Sequence, residues 1–219
     1  MPVETTCRFL ARSGKRSVLR AAAAFSAATM MLGGVGAPIT NADPILPLPA
    51  LCGFSSPGDD TGAEVDAIKT LKATYFANID AKNWTGVSNL LKPNVVVDTL
   101  CSAGPIFYGR DPFIAFLKLT LGGATTQHTG SDPHIKLTSA TTAAGLWTLE
   151  DVLVFGGVLG VHGYGHYNDH YEKVNGQWVV KASKLTRTRI DLIDPSTGAV
   201  IQANASLLDV AAKVKAITG

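Results

Sequence analysis

Two side chains of opposite acid–base character occupy positions where they could meet. Trp147, Leu149, Asp151, Leu153 and Phe155 share one face of a strand by strict alternation, and Asp151 is the ionisable member of that face. A carboxylate among such neighbours loses water, and it keeps its charge only with a partner or hydrogen bonds. An edge position turned to solvent, or a structural acid with its own donors, fits the same alternation. His128 lies in the preceding strand, and a bulge at Asp132-Pro133 would bring it within a rung or two of Asp151. Imidazole beside carboxylate is general acid–base chemistry: the acid fixes the ring tautomer, and the other nitrogen takes a proton.

Other polar residues need a helix or a strand to position them. Tyr75 sits on the apolar stripe of a helix that Asp80 closes, at the end where the dipole disfavours an acid. Both point at the sheet only if that helix crosses its concave face. His162, Tyr164, His166, Asn168 and His170 alternate along a later strand, with Gly163, Gly165, Tyr167, Asp169 and Tyr171 opposite. Steps of two place the three histidines about 7 Å apart, too far for joint ligation. That face reads as solvent-facing or as a dimer contact, and no metal site is expected.

The positioning elements follow from periodicity. Thr61-Gly62-Ala63-Glu64 has capping-box spacing, and Val65, Ile68, Leu71, Tyr75 and Ile79 then recur at helical steps to about Ala81. A shorter helix is expected from Trp84 to Leu91, then strands over 95–100 and 106–108. Asp111-Pro112 reads as an N-cap with proline at the first helical position. Strands follow over 124–139, 144–155, 161–174 and 177–190, the last two joined by the Asn175-Gly176 turn. Leu207, Leu208, Val210, Ala211, Val214 and Ile217 suggest a C-terminal helix that covers either the sheet or a partner subunit. Helices first and strands afterwards indicate an α+β fold, a curved antiparallel sheet wrapped over helices on one face.

The N-terminal segment carries Arg8, Arg12, Lys15, Arg16 and Arg20 ahead of an uncharged run from Ala21 to Ile39, and Thr40-Asn41-Ala42 suits a signal peptidase. An uncleaved anchor is disfavoured by Gly33, Gly34, Gly36 and Pro38. Residues 1–42 therefore read as a signal peptide, 43–62 as a Pro/Gly-rich linker, 63–193 as the folded domain and 194–219 as a tail with a short helix. Cleavage would leave 14 basic and 16 acidic residues, turning a formal charge of +2 into about −2 and removing any electrostatic reason to expect nucleic acid. No stable membrane span would remain. The expected location is secreted or extracytoplasmic. Cys7 would leave with the signal, so Cys52 and Cys101 become an even pair in an oxidising compartment; a disulfide is expected, two buried thiols being the alternative.

From about Ala63 to Asp191 the chain resembles SnoaL-like proteins of the nuclear transport factor 2-like superfamily. The resemblance rests on the opening helix with Tyr75 and Asp80, Tyr108-Gly109-Arg110-Asp111 before a helix, Thr126-Gln127-His128, Gly145-Leu146-Trp147 with Glu150-Asp151, Gly163-Tyr164-Gly165-His166-Tyr167, and Asn175-Gly176-Gln177-Trp178 running to Arg189. It implies a cone-shaped α+β barrel roll, usually dimeric, with an apolar pocket at the wide mouth. A homodimer is left open.

Likeness to the scytalone and bile-acid dehydratases implies roles. His128 would be the base, Asp151 would orient and charge-support it, Tyr75 would polarise an oxygen and Asp80 would assist. Tyr167 and Trp147 would line the pocket. The implied activity is a lyase or isomerase needing no cofactor and acting on a small hydrophobic molecule, a sterol-like or polyketide-like cyclic ketone. Since the superfamily also contains pure binding modules, a secreted carrier with the same pocket is the alternative.

Overall fold

The computed structural model describes residues 60–218. The expected signal, most of the linker and Cys52 lie outside the described residues. Among those described, no helix is long and apolar enough to cross a membrane.

Helix α1 (Ala63–Asp80) buries Val65, Ile68, Leu71, Tyr75 and Ile79, the stripe its periodicity predicts, with Lys72 and Phe76 added. The expected capping box does not form: Gly62 is the N-cap, and no side chain caps it. Glu64 is drawn elsewhere, accepting from Lys173 Nζ and Trp178 Nε1, both at 2.6 Å. Those two bonds tie the start of α1 to the last hairpin. Helix α2 (Trp84–Asn89) is capped by Asn83, whose Oδ1 accepts from the Gly86 N–H at 3.0 Å.

Strand β1 (Leu91–Cys101) starts where α2 was expected to continue, and β2 (Ile106–Tyr108) folds back on it. Helix α3 (Arg110–Leu121) begins two residues before the expected start at Pro112. Gly109, at φ +107°, is its N-cap, so Asp111 and Pro112 lie inside the first turn. The long strands are β3 (Thr125–Leu137), β4 (Thr142–Phe155), β5 (Leu159–Val174) and β6 (Gln177–Ile193), followed by short β7 (Val200–Gln202) and helix α4 (Leu207–Thr218). Asn175 and Gly176 both adopt positive φ in the β5–β6 turn, as a tight hairpin requires.

The sheet runs β2-β1-β6-β5-β4-β3, with β7 on β6. All its pairings are antiparallel except β1 with β6, which corrects the purely antiparallel expectation. The chain leaves β1 through a helix and four further strands before β6 pairs beside it. This non-local closure is beyond the reach of local patterning. The curved, unclosed sheet wraps over helices on one face and gives the expected α+β cone.

The main core lies between α1 and the inward residues of β3–β6, among them Ile135, Trp147, Leu149, Tyr167 and Tyr171. A second apolar cluster forms around Phe155, Val161, Ile190 and Leu192, and α4 packs on it through Leu207, Val210 and Val214. Ser206 and Asp209 cap that helix reciprocally: the Asp209 N–H donates to Ser206 Oγ at 3.1 Å, and the Ser206 hydroxyl donates back to the Asp209 carboxylate at 2.7 Å.

Candidate functional site

The β3–β4 ladder shifts register between Ser131 and His134, where Asp132 adopts φ +46°. This bulge sets His128 directly opposite Asp151. Asp80, the last residue of α1, reaches the same place from above. His128 Nδ1 lies 2.6 Å from Asp80 Oδ1, and the His128 backbone N–H donates to Asp80 Oδ2 at 2.9 Å. Phe76 stacks on the ring with centroids 6.0 Å apart and planes within 4°. Burial alone would raise the Asp80 pKa, but the hydrogen bonds from His128 and from the Thr126 hydroxyl, together with the His128 charge, bring it below the ordinary carboxylate range. An ionised carboxylate only accepts, so the Nδ1 proton belongs to His128 and Nε2 is left as the basic nitrogen.

The partners of His128 differ from the sequence expectation. Asp151, expected to orient the ring, has its Oδ2 at 3.9 Å from Nε2, outside hydrogen-bond distance. Its partner is Arg187 of β6, whose Nη2 donates to Oδ2, while Arg187 Nε donates to Ser102 Oγ at 3.3 Å. Asp80, expected only to assist, is the orienting acid. Burial works against the Arg187 charge, yet the Asp151 carboxylate outweighs it and makes the guanidinium hold its proton more firmly than usual. Gly163 makes this pair possible: a Cβ there would stand 2.2 Å from Arg187 Nη1 and 2.4 Å from Asp151 Oδ1. Those two buried atoms have no hydrogen-bond partner among the described residues.

A cavity of about 430 Å³ opens beside His128. Tyr75, Tyr167, His128 and Arg187 form polar parts of its wall, Phe113, Phe116, Leu153 and Ile190 apolar parts, and α4 closes over it with Val210, Ala211 and Val214. α4 thus forms part of the cavity wall. Burial raises the pKa of Tyr75 well above the ordinary phenol value and that of Tyr167 too, so both remain neutral hydrogen-bond donors. Asp80 and Asp151 stand behind His128 and Arg187 and are not part of the wall. Trp147, expected to line the pocket, does not. It faces inward but sits in the core, where Nε1 donates to the Tyr171 hydroxyl at 2.9 Å.

Beneath the floor lies a buried polar network absent from the sequence reading. Lys72 Nζ donates to Asp169 Oδ2 at 2.7 Å and lies 3.6 Å from the Tyr167 ring centroid. Asp169 also accepts from Tyr171 at 2.8 Å and from Ser183 at 2.6 Å. Lys72 had a signal, standing four residues from both Ile68 and Phe76 on the buried stripe. Arg187 had one as well, two residues after inward Leu185. The outward face of β5 holds His162, hydrogen-bonded to Glu150 at 2.7 Å and stacked on Tyr164. No group of metal-binding side chains occurs among the described residues.

Residues 61–184, more than half the chain, match the family described as SnoaL-like domain. Similar solved structures include a candidate scytalone dehydratase from Novosphingobium aromaticivorans, at 23% identity and TM-score 0.54 over 64% of this chain and 90% of that one. A hexachlorocyclohexane dehydrochlorinase from Novosphingobium barchaimii has TM-score 0.53 at 12% identity over 59% and 90%. A function-unknown protein from Mycobacterium tuberculosis has TM-score 0.52 at 20% identity over 57% and 77%. At these identities the likeness is one of fold.

Proposed function

The chain belongs to the SnoaL-like family, and from that premise we propose that it is a cofactor-independent lyase or isomerase acting on a hydrophobic cyclic ketone. The observation that carries this reading is the Asp80–His128 pair at 2.6 Å beside an apolar cavity. Two of the similar folds belong to proteins named for eliminations, a dehydratase and a dehydrochlorinase, which supports the same reading.

In this proposal Nε2 of His128 removes a proton from the carbon next to the carbonyl, and the C–H electron pair moves into an enolate. Asp80 accepts the hydrogen bond from Nδ1–H and stabilises the imidazolium. The enolate oxygen gains hydrogen bonds from Tyr75 or Tyr167 and the field of buried Arg187, in a site low in water where such charges act strongly. For a β-hydroxyketone the enolate collapses, the C–O bond breaks, and the imidazolium returns its proton to the departing oxygen as water. For an isomerase the same proton returns to a different carbon. Asp151 positions Arg187 and is not the histidine's orienter.

The test is incubation with apolar cyclic ketones and β-hydroxyketones in D₂O, followed by mass spectrometry. Deuterium uptake next to the carbonyl or loss of water is expected, and His128→Ala should abolish both. Tight binding with neither, or full turnover by His128→Ala, would overturn the proposal and favour the secreted carrier. Export belongs to the proposal too, through the basic N-terminal segment and the Ala42 cleavage site.

A further inference from the structure

His128 faces two carboxylates, and each of them is tied to a cation. Asp151 of β4 pairs directly with Arg187 of β6. Asp80 is reached indirectly: Lys82 Nζ donates to Thr126 Oγ1 at 2.6 Å, and Thr126 Oγ1 donates to Asp80 Oδ1 at 2.8 Å, the oxygen that also receives His128 Nδ1. Thr126 and His128 are two apart on β3, so both look toward the end of α1. Thr126 is buried.

Lys82 is an unusual residue for its place. It follows the C-cap of α1 at φ +58°, where glycine or asparagine is the common choice and a lysine backbone is strained. A lysine can serve a helix C-terminus simply by its charge. Here, however, its ammonium is spent on a side-chain hydroxyl that leads to the histidine. Burial weakens the hold of Lys82 on its proton and the Asp80 charge offsets part of that.

We propose that Lys82, acting through Thr126, is a positioning residue that limits how strongly Asp80 draws on the His128 proton, leaving the imidazole free to work as a base. The physical reason is charge balance. A histidine held between two uncompensated carboxylates would keep its second proton and be of no use as a base. Each hydrogen bond donated to Asp80 removes some of its pull, and the lysine behind Thr126 polarises that hydroxyl further. The other titratable groups that line the cavity with His128 and Arg187 are Tyr75 of α1, Tyr167 of β5 and Lys215 of α4; the two phenols are neutral, and Lys215 makes no hydrogen bond or ion pair with either carboxylate, so none of them performs this balancing. The inference rests on the proposed role of His128 as base, but its test needs no substrate.

The experiment follows the His128 imidazole of the free protein by NMR across a pH titration. Lys82→Asn suits the backbone conformation and should fold; it is expected to raise the titration midpoint by roughly half a unit or more and to move the Nδ1 proton downfield. Thr126→Val, similar in shape, should do the same. Lys82→Arg and Thr126→Ser should restore the midpoint, which a merely structural role would not require. A midpoint unmoved in a folded Lys82→Asn protein overturns the proposal; should that variant not fold, an unmoved midpoint in Thr126→Val does so. If the midpoints move as expected yet no ketone is turned over, the balance stands and the enzymatic reading falls.

Discussion

Asp80 closes α1 and His128 lies mid-strand in β3, and 48 residues apart in sequence they share a 2.6 Å contact that fixes the imidazole tautomer. An acid at a helix C-terminus works against the helix dipole, so three donors are needed to keep it charged: the His128 ring, the His128 backbone N–H and the Thr126 hydroxyl. Replacing Asp80 by Asn removes the charge that stabilises the imidazolium and permits the wrong tautomer. Turnover should fall on the order of 10²-fold or more in kcat, and His128→Ala at least as much, with circular dichroism unchanged.

The same contact gives a pH dependence of stability. Asp80 titrates below its ordinary value when folded, so its contribution is fully present above the unfolded carboxylate pKa of about 4. It is lost as pH falls through the folded value. Urea unfolding from pH 6 downward should therefore lose stability more steeply in the unmodified protein than in Asp80→Asn. Equal slopes would show that the clamp does not form in solution.

Arg187 and Asp151 should separate stability from catalysis. Arg187→Met strands a fully buried carboxylate, a loss on the order of 3–5 kcal/mol, readable by denaturant titration. Adding Asp151→Leu should recover much of that stability and none of the activity. Recovery of activity in the double variant would mean that the cation plays no part in the reaction.

Alternation along β4 and a bulge at Asp132-Pro133 were enough to place His128 within a rung or two of Asp151, and the structure sets them directly opposite. They identify a face and a register, not which atoms touch. Asp80 was the hidden orienter because its reach depends on where α1 ends over the sheet, a tertiary fact. Trp147 shows the same limit: alternation turned it inward, but depth decides between cavity and core, and depth is set by the curvature of the whole sheet. Arg187 stood between Lys184 and Arg189, in a stretch whose charges suggest a wet face. It is buried only because Gly163, on the neighbouring strand, leaves room for it. α4 was visible as an apolar helix, while its place over the cavity comes from the Asp191 carboxylate, which receives the Asn204 N–H at 2.8 Å and fixes the preceding turn.

Cys101 ends β1, buried, and the next residue, Ser102, receives the Arg187 Nε–H. The Cys52–Cys101 bridge expected from sequence would brace this turn from the linker side. Non-reducing peptide mapping of the protein produced in an oxidising compartment should give one linked peptide pair that reduction releases. Reduction should lower stability by about 2–4 kcal/mol. Two free-thiol peptides in the oxidised sample would exclude the bridge.

The Lys72–Asp169 pair is the stability counterpart of the site. Both side chains are almost completely buried, 2% and 0% exposed, and the ammonium also packs on the face of Tyr167, a wall residue of the cavity. Burial lowers the Lys72 pKa and Asp169 opposes that, so the lysine's charge depends on its partner. Lys72→Met leaves Asp169 with the Tyr171 and Ser183 hydroxyls but no counter-charge, a loss on the order of 3–5 kcal/mol by urea unfolding. Lys72→Met with Asp169→Asn should lose distinctly less than the sum of the single changes, because the amide oxygen accepts from one hydroxyl, its NH2 donates to the other, and no buried charge is left to neutralise. Since Lys72 meets the cavity wall through the rings of Tyr167 and Tyr75 and does not line it, any surviving activity in the double variant should show a raised KM more than a lowered kcat. Strict additivity of the two stability losses would mean that lysine and aspartate act independently.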